Sequence, residues 1–440
     1  MDVLIRIAQF LLSLSLLIII HELGHYLAAR YFNARVEKFY LFFNPWFSIF
    51  KKKIGDTEYG LGWLPLGGYV KISGMIDESL DKDQMAQLPQ PWEFRTKPAW
   101  QRLIIMLGGV TFNVLLAIII YILMLSFIGE RYLPNKSLKY GIEAGELAKG
   151  IGLMSGDKIV YMNGVEVVDF ADIRREFILG NTRNVTVERD NELINIEIPA
   201  DFYGTLVAHR GRNFLSPRVP FAIGRVEEGS AAEMAGVKEG DHIVGIGESK
   251  SWSFAEFRSI IPAYIGKDAQ LLVIRDGQEI ALDIKIPETA VIGVGSKPLE
   301  VLLEHAQYEY TFIEAIPAGV AKAYRTTVSY LQELRLLFSP EIRLSDSLGG
   351  FITIGSIFAP TWDWVHFWTI TAFLSIILAV MNILPIPALD GGHVMFLFYE
   401  IIVGRKPSEK FMEYAQGIGM ILLLGLVLFA NFNDVMRLIR

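Results

Sequence analysis

The stretch LLSLSLLIIIHELGHYLAAR, residues 11–30, joins an apolar run to the motif HELGH. Residues four positions apart share one face of an α-helix, so His21 and His25 can bind one metal ion while Glu22 faces its open coordination position. The apolar run begins near Val3, which predicts that this helix crosses a membrane. The combination predicts zinc-assisted hydrolysis, with Glu22 as the base that takes a proton from water.

The alternative is that HExxH arose by chance, as it does on soluble helices rich in Glu and His. A charged side chain near mid-membrane costs about 2.5–3.5 kcal/mol on insertion scales. Glu22, placed beside two histidines in apolar surroundings, therefore needs an offsetting interaction. A bound metal ion provides one, and this favours the functional interpretation.

Composition indicates a polytopic α-helical membrane protein with substantial aqueous domains. The chain has 440 residues, 52% hydrophobic content and a mean hydropathy of +0.36, too apolar for most soluble proteins and too charged to be membrane throughout. Runs long enough to span a bilayer predict about four transmembrane helices. These runs are Val3–Tyr31, Leu103–Ile128, Trp364–Leu384 and Tyr414–Phe432.

Charge indicates orientation and excludes some functions. A net charge of −7 and a pI near 5.6 give no support for nucleic-acid binding, and zero cysteines exclude disulfides and thiolate ligands. Basic residues concentrate between the first two spans, which predicts that this side is cytoplasmic and that residues 130–363 face outward. They are Arg30, Arg35, Lys38, Lys51, Lys52, Lys53, Lys71, Lys97 and Arg102.

A third metal ligand is predicted in the segment NILPIPALDGGH, residues 382–393. Asp390 would complete a His₂-Asp site and leave one position open for water, as catalytic zinc requires. Prolines and glycines around it do not continue a regular helix, so the third span should break where Asp390 turns inward. Taken alone, Asp390 could instead be a helix-end residue at the membrane boundary.

The outward segment contains an internal repeat. GELAKGIGLMSGDKIV (145–160) aligns with GSAAEMAGVKEGDHIV (229–244) through the frame G-D-x-I-V. Each copy continues through a helix-like stretch into two β-rich arms joined by a turn, which predicts a hairpin. The order resembles bacterial PDZ domains, whose grooves bind peptides by adding a strand to a sheet edge. The alternative is that the modules only shield the membrane domain and bind no ligand of their own.

Taken together, these motifs resemble site-2 proteases of the RseP type over nearly the whole chain. The resemblance rests on HELGH, the N-x-x-P-x-x-x-L-D-G segment from Asn382 and the PDZ-like modules between spans two and three. It implies His21, His25 and Asp390 as ligands of one catalytic Zn²⁺ ion and Glu22 as the catalytic base. It also implies Asn382 as an amide that positions substrate or stabilises the oxyanion, although Asn382 could instead hydrogen-bond a neighbouring helix.

The family also has a membrane-associated β region after the first helix, and TEYGLGWLPLGGYVKISG (57–74) fits it. A strand edge there could hold a substrate extended, which makes Gly67, Gly68 and Tyr69 predicted substrate contacts. An interfacial hairpin rich in Tyr and Trp would look similar. In the second span, GVTFN (109–113) lacks the proline of the family's G-P-x-x-N segment, and we expect this departure to leave the metal site unaffected.

The resemblance implies an intramembrane zinc endopeptidase that cuts single-span membrane proteins after another protease has trimmed their outer domains. Anti-sigma factors and remnant signal peptides are the family's substrates, and PDZ peptide ligands and membrane lipid are further expected partners. The implied location is the bacterial inner membrane, with the PDZ modules outside and the active site towards the cytoplasm. The alternatives are a proteolytically silent PDZ scaffold, which would not need Glu22, and a transporter, which would be expected to show repeats among its spans.

The predicted domain boundaries follow from these segments. They are 1–34 for the first transmembrane helix, 35–100 for the β region, 101–130 for the second helix, 131–210 and 211–292 for the two PDZ-like domains, 293–362 for a connecting and amphipathic helical segment, 363–395 for the third transmembrane segment, and 396–440 for a cytoplasmic loop with the fourth helix.

Overall fold

The computed structural model describes residues 2–65, 67–75, 88–178, 182–208, 214–336 and 349–439. The chain forms two compact units. One comprises residues 1–129 with 309–440, and the other comprises residues 130–308. The helices are α1 (Asp2–Tyr31), α2 (Ala99–Phe127), α3 (Glu146–Gly150), α4 (Phe170–Ile178), α5 (Phe202–Ala208), α6 (Ala231–Met234), α7 (Phe254–Ile260), α8 (Leu299–Leu302), α9 (Phe312–Leu336), α10 (Phe351–Ser356), α11 (Trp364–Ile383), α12 (Asp390–Val403) and α13 (Glu409–Ile439).

Short strands accompany the helices in both units. In the first unit they are β1 (Val36–Leu41), β2 (Phe50–Ile54), β3 (Thr57–Leu61) and β4 (Tyr69–Ile72). In the second they are β5 (Glu130–Tyr132), β6 (Ile142–Ala144), β7 (Lys158–Met162), β8 (Val165–Glu166), β9 (Asn184–Arg189), β10 (Glu192–Glu197), β11 (Leu215–Pro217), β12 (Phe221–Val226), β13 (His242–Ile246), β14 (Ser249–Lys250), β15 (Asp268–Arg275), β16 (Gln278–Lys285), β17 (Val294–Ser296) and β18 (Ala306–Tyr308).

Four of the described helices are long and apolar enough to cross a membrane, which confirms the predicted number of spans. They are Asp2–Tyr31, Ala99–Phe127, Trp364–Ile383 and Lys410–Arg437. Many of their large apolar side chains are exposed at the molecular surface: Ile421 and Leu428 on α13 are each 71% exposed. Contiguous apolar surface of this kind is stable against lipid rather than water.

Small residues let α1 and α2 pack backbone against backbone. A Cβ at Gly24 would overlap the carbonyl of Gly108, and one at Gly108 would lie 2.5 Å from the carbonyl oxygen of Gly24. Close approach through glycine is a common way for membrane helices to associate, because lipid gives little hydrophobic drive between them. The crossing places the HELGH turn of α1 directly against α2.

Buried hydroxyl groups connect α11 to this pair. The Oγ atoms of Thr371 and Ser13 lie 3.0 Å apart, and Ser375 Oγ donates to the backbone carbonyl of Asn113 over 2.7 Å. All four residues are fully buried. Hydrogen bonds between apolar helices fix their rotation, so α1, α2 and α11 form the framework of the site.

The amphipathic segment predicted before the third span forms α9. This helix packs along α2, where a Cβ at Gly319 would lie 2.5 Å from Cγ1 of Ile122. Ala315 and Ala323 of α9 are buried, whereas Ile313 and Tyr324 are exposed. α9 therefore joins the helical unit along one apolar face.

The β region of the first unit is one sheet in the order β2-β3-β1-β4. β1 pairs with β3 in parallel and with β4 antiparallel. β4 is an edge strand among the described strands and packs against α1. The sheet therefore carries its free edge towards the helix that holds HELGH.

The second unit contains two α+β modules with the same order of elements. In the first, β6 pairs with β11 and β7–β10 form a sheet in the order β10-β9-β7-β8. In the second, the order is β16-β15-β13-β12-β17, with β14 beside β13. The turns of the predicted hairpins have positive φ at Asp190, Asn191, Asp276 and Gly277, as two-residue hairpin loops require.

Each of the two modules contains a buried ion pair at the equivalent position. The Asp157 carboxylate accepts two hydrogen bonds of 2.7 Å from Arg189, and Asp241 accepts two of 2.7 and 2.8 Å from Arg275. Each carboxylate also accepts from the backbone N–H three residues earlier. The aspartates are those of the G-D-x-I-V frame, so the sequence repeat is a repeat of packing as well.

Strand pairing extends both modules past their predicted boundaries. β11 lies beyond residue 210 yet pairs with β6, and β17 lies beyond residue 292 yet pairs with β12. Each module is completed by a strand of three residues that follows its hairpin, and so short a strand carries too little periodicity to be recognised from sequence. We therefore place the ends of the modules after Pro217 and Ser296.

Candidate metal centre

The HELGH histidines lie together on α1, as helical spacing predicts. His21 and His25 are 8% and 7% exposed, and their ring centroids are 4.9 Å apart. The apolar sequence before them keeps the helix continuous from Asp2 to Tyr31. Both imidazoles turn their Nε2 atoms towards the same point, with 3.2 Å between these atoms.

Asp390 reaches the same point because the chain breaks after α11, where the sequence predicts a break. α11 ends at Ile383 and α12 begins at Asp390. A Cβ at Gly391 would overlap the carbonyl of Leu384, so α12 can start this close to the preceding loop only with glycine at that position. Asp390 Oδ2 lies 3.2 Å from Nε2 of His21 and 3.2 Å from Nε2 of His25.

These three atoms form a triangle that fits a tetrahedral metal ion. Its sides are all 3.2 Å, and ligands bound at about 2.0 Å in a tetrahedron lie about 3.3 Å apart. Asp390 Oδ2 is buried and, apart from the two imidazoles, has no hydrogen-bond partner among the described residues. Two imidazole nitrogens and one carboxylate oxygen form a donor set typical of catalytic zinc, which keeps its fourth position open.

The helix α2 backs this cluster through positions that share one face. Nδ1 of His25 lies 2.8 Å from the carbonyl oxygen of Ile105, and Nδ1 of His21 lies 3.2 Å from Nδ2 of Asn113. Between them, a Cβ at Gly109 would overlap Nε2 of His25. Residues 105, 109 and 113 thus provide an acceptor, an open space and a polar group for the two imidazoles.

The side chain of Glu22 extends from α1 to the edge strand β4. The backbone N–H of Val70 donates to its carboxylate. A Cβ at Gly68 would lie 3.4 Å from Cγ of Glu22 and 2.5 Å from Cγ2 of Ile18. The carboxylate is therefore oriented by the β region, and the free edge of β4 runs beside it.

The predicted substrate contacts occupy different positions relative to the cluster. Gly68 is beside Glu22, whereas a Cβ at Gly67 would meet the ring of Phe43 at 2.9 Å. The Tyr69 ring stacks on Tyr40 at 5.3 Å, and its hydroxyl also forms a hydrogen bond within the β region. Their contact with substrate stays a prediction.

Asn382 is brought to the cluster by the last turn of α11. Its Nδ2 lies 3.4 Å from Nε2 of His21. Asn382 therefore faces Nε2 of His21, the atom predicted to bind the metal, whereas Asn113 faces Nδ1 of the same ring. The two amides therefore flank His21 and face different parts of the site.

Sequence reasoning missed the contribution of α2. The expectation for GVTFN concerns only its missing proline and assigns no role to Gly109 and Asn113, the two residues that remain from that motif and that both contact ligand imidazoles. The spacing of four between 109 and 113 was the available signal, since it places both on one helix face. The backbone groups of Ile105 and Val70 carry no side-chain signal.

Helices apolar enough to cross a membrane, grouped around a His₂-Asp cluster beside a glutamate, define a membrane metalloprotease. The chain belongs to peptidase family M50, whose sequence profile matches residues 9–426. It is 29% identical to protease RseP of Yersinia pestis over 467 residues, covering 100% of each chain. It is 30% identical over 455 residues to a protein of Neisseria meningitidis named as a candidate zinc metalloprotease, covering 98% of each.

Proposed function

We propose that this metalloprotease cleaves the membrane-spanning segments of single-span proteins in regulated intramembrane proteolysis. The proposal rests on which helices contribute the atoms of the cluster. His21 and His25 lie on a helix that can span a membrane, and Asp390 follows another such helix after a short break. A cluster enclosed by spanning helices is reached most directly by a substrate that is itself in the membrane.

We assign His21, His25 and Asp390 to holding a zinc ion. Zinc, when bound, supplies Lewis acidity towards water and the substrate carbonyl. The carboxylate of Glu22 accepts a proton from water and delivers it to the nitrogen of the leaving amine. The N–H of Val70 holds that carboxylate in place, and Asn382 Nδ2 donates to the carbonyl oxygen as negative charge develops there.

The edge of β4 is the proposed docking site for the scissile segment. A helical substrate hides its amides in its own hydrogen bonds, so it must become extended before it can be cut. β4 pairs with β1 on one side, and no described strand pairs with its other edge. A substrate added there as a strand would lie beside Glu22, with Gly67, Gly68 and Tyr69 along it.

Basic residues support a location in the bacterial inner membrane, with the active site towards the cytoplasm. Lys51, Lys52 and Lys53 are exposed on β2, and cytoplasmic loops near spans are enriched in such residues. The unit of residues 130–308 would then face the periplasm or exterior. Membrane lipid is accordingly a partner of the helical unit, and no nucleic acid is expected to bind.

The two outward modules are proposed to be PDZ-like domains. Their shared element order, their edge strands and their common Asp–Arg pair support this. They would exclude substrates with bulky outer domains and admit those already shortened by another protease. Anti-sigma factors and remnant signal peptides are substrates of this kind, and peptides that add to the module edges would be further ligands.

The test uses the full-length protein in detergent and single-span substrates with and without their outer domains. Wild type is compared with Glu22→Gln, which keeps size but cannot act as the base. The exposed Glu228 provides a matched control as Glu228→Gln. We expect zinc in all three proteins, cleavage of trimmed substrates by wild type and Glu228→Gln, and none by Glu22→Gln.

Two results would overturn this assignment. Equal cleavage by wild type and Glu22→Gln would remove Glu22 from the chemistry. Zinc-free wild type with intact peptide binding by the outer modules would instead favour a proteolytically silent membrane scaffold. Cleavage of untrimmed substrates at the same rate as trimmed ones would reject the size filter while leaving the protease assignment in place.

A further inference from the structure

Asn113 is a fully buried amide whose contacts are incomplete. Its Nδ2 lies 3.2 Å from Nδ1 of His21, while its Oδ1 has no hydrogen-bond partner among the described residues. A buried carbonyl oxygen without a donor costs free energy comparable to a lost hydrogen bond. The amide therefore calls for a partner that its present orientation does not provide.

The position of the proton on the His21 ring identifies the missing partner of Asn113. Its Nε2 faces Nε2 of His25 and Oδ2 of Asp390, each at 3.2 Å. A metal ion held among these atoms needs the lone pair of Nε2, so the proton of the neutral ring must sit on Nδ1. An N–H at Nδ1 cannot accept from the Nδ2 group of Asn113, because both atoms are donors.

Exchanging the oxygen and nitrogen of the amide removes the conflict. The orientation of a terminal amide and the tautomer of a histidine are decided by the hydrogen-bond network around them. With Oδ1 of Asn113 at the 3.2 Å position, Nδ1–H of His21 donates to it, and the buried oxygen gains its partner. His25 already has the equivalent arrangement, because its Nδ1 lies 2.8 Å from the carbonyl of Ile105.

We propose that Asn113 is a positioning residue that holds His21 with its proton on Nδ1 and its Nε2 free to bind metal. The two imidazoles are then oriented by one helix through two acceptors, a side-chain amide at 113 and a backbone carbonyl at 105. Such partners of metal-binding histidines fix ring orientation and tautomer and raise the basicity of the ligand. The inference rests on the proposed assignment of His21, His25 and Asp390 to the metal.

The test measures zinc affinity of the full-length protein in detergent by competition with a chelator, independently of proteolysis. Asn113→Leu and Asn113→Ala remove the acceptor, and Asn113→Asp keeps one. Thr371→Val is the control for packing, because Thr371 is also fully buried among the helices around the site but lies on α11 and pairs with Ser13 of α1. Loss of an outer partner costs about 10- to 100-fold in metal affinity.

We expect the Leu and Ala variants to bind zinc about 10- to 100-fold more weakly than wild type, and the Asp and Thr371→Val variants to bind as tightly as wild type. If Leu does not fold, Ala provides the same comparison. Wild-type affinity in both Leu and Ala overturns the inference, as does an Asp variant as weak as Ala, since the amide would then act as a donor. If Thr371→Val binds zinc as weakly as Asn113→Ala, the loss of affinity comes from disturbed packing and the inference is overturned. Zinc-free wild type overturns the metal assignment itself.

Discussion

The backbone of Gly109 lies against the imidazole of His25, so that a Cβ at position 109 would overlap its Nε2 and lie 2.5 Å from Cε1 of His21. Both ligand rings therefore pack against the backbone of α2 at Gly109. The ring of His25 is held further by its contact with the carbonyl of Ile105. The two rings can occupy these positions only because residue 109 has no side chain.

Gly109→Ala should lower zinc affinity by at least about 10-fold, because the added methyl displaces both rings from their outer partners. Zinc affinity by chelator competition checks this. Gly417→Ala in α13 is the matched control, since a Cβ there meets nothing within 4 Å. It should leave zinc binding unchanged, and alanine should favour the helix by about 1 kcal/mol. Equal zinc affinity in Gly109→Ala and wild type would contradict the packing argument.

Asp390→Asn should remove most of the zinc. The substitution keeps the shape of the side chain but replaces the anionic oxygen that lies 3.2 Å from both imidazoles. Loss of a direct ligand should exceed the approximately 100-fold effect of losing an outer partner. Asp363→Asn is a control on the neighbouring span, where the carboxylate only caps the start of α11. Metal analysis of the purified proteins distinguishes them, and full zinc content in Asp390→Asn would remove Asp390 from the ligand set.

The parts of the site that sequence predicted are those encoded by local spacing. HELGH places two imidazoles on one helix face whatever surrounds them, and prolines with glycines stop a helix near Asp390 wherever that helix lies. Asn113 and Gly109 depend instead on where α2 crosses α1. That crossing is set by contacts such as Gly24 against Gly108, which no local pattern specifies.

The same distinction applies to the fold. Apolar length predicted the spanning helices, and alternating patterns with turn residues predicted the hairpins of both modules. The pairing of β11 with β6 and of β17 with β12 joins short strands that are distant in sequence. Three-residue strands carry too little periodicity to be recognised, so the predicted module boundaries fell short of both.

Asp241→Asn should destabilise the second module at neutral pH. Burial alone would raise the pKa of Asp241, but hydrogen bonds from Arg275 and the Lys238 backbone hold this pKa below its ordinary value. The pair therefore stabilises the folded module above the unfolded pKa of about 3.9, and its contribution is lost as the pH falls through the folded value. Hydrogen bonds to charged groups contribute about 1.5–3 kcal/mol.

Hydrogen exchange of the full-length protein, read from peptides covering β13 and β15, measures this loss. Exchange in Asp241→Asn should be about 10- to 100-fold faster at pH 7, as that free energy implies. The difference from wild type should shrink below about pH 3.9. Asp157→Asn is the matched variant and should affect the first module instead. An effect of Asp241→Asn that is the same at both pH values would show that the ion pair is not its source.

Gly68→Val should slow proteolysis without removing zinc. The new side chain would meet Cγ2 of Ile18 at about the 2.5 Å found for a Cβ alone, and it would push β4 away from Glu22. A displacement near 1 Å at a reacting group can cost about 100-fold in rate. Turnover of a trimmed substrate and zinc content, measured on the same sample, test this. Loss of zinc in parallel with activity would mean that β4 supports the metal site rather than the base.

Asn382→Leu separates two roles for that amide. If Asn382 donates to the substrate carbonyl as charge develops, kcat should fall by about 100- to 1000-fold, the usual cost of removing one oxyanion donor, with little change in zinc affinity or thermal stability. If the amide only joins helices, its loss should lower the unfolding temperature and leave kcat of the folded fraction near wild type. Nδ2 lies on the ligand side of His21, 3.4 Å from Nε2, and this favours the first outcome. Kinetics and thermal unfolding of one preparation, with Ser375→Ala as the variant that removes a known interhelical hydrogen bond, decide between them.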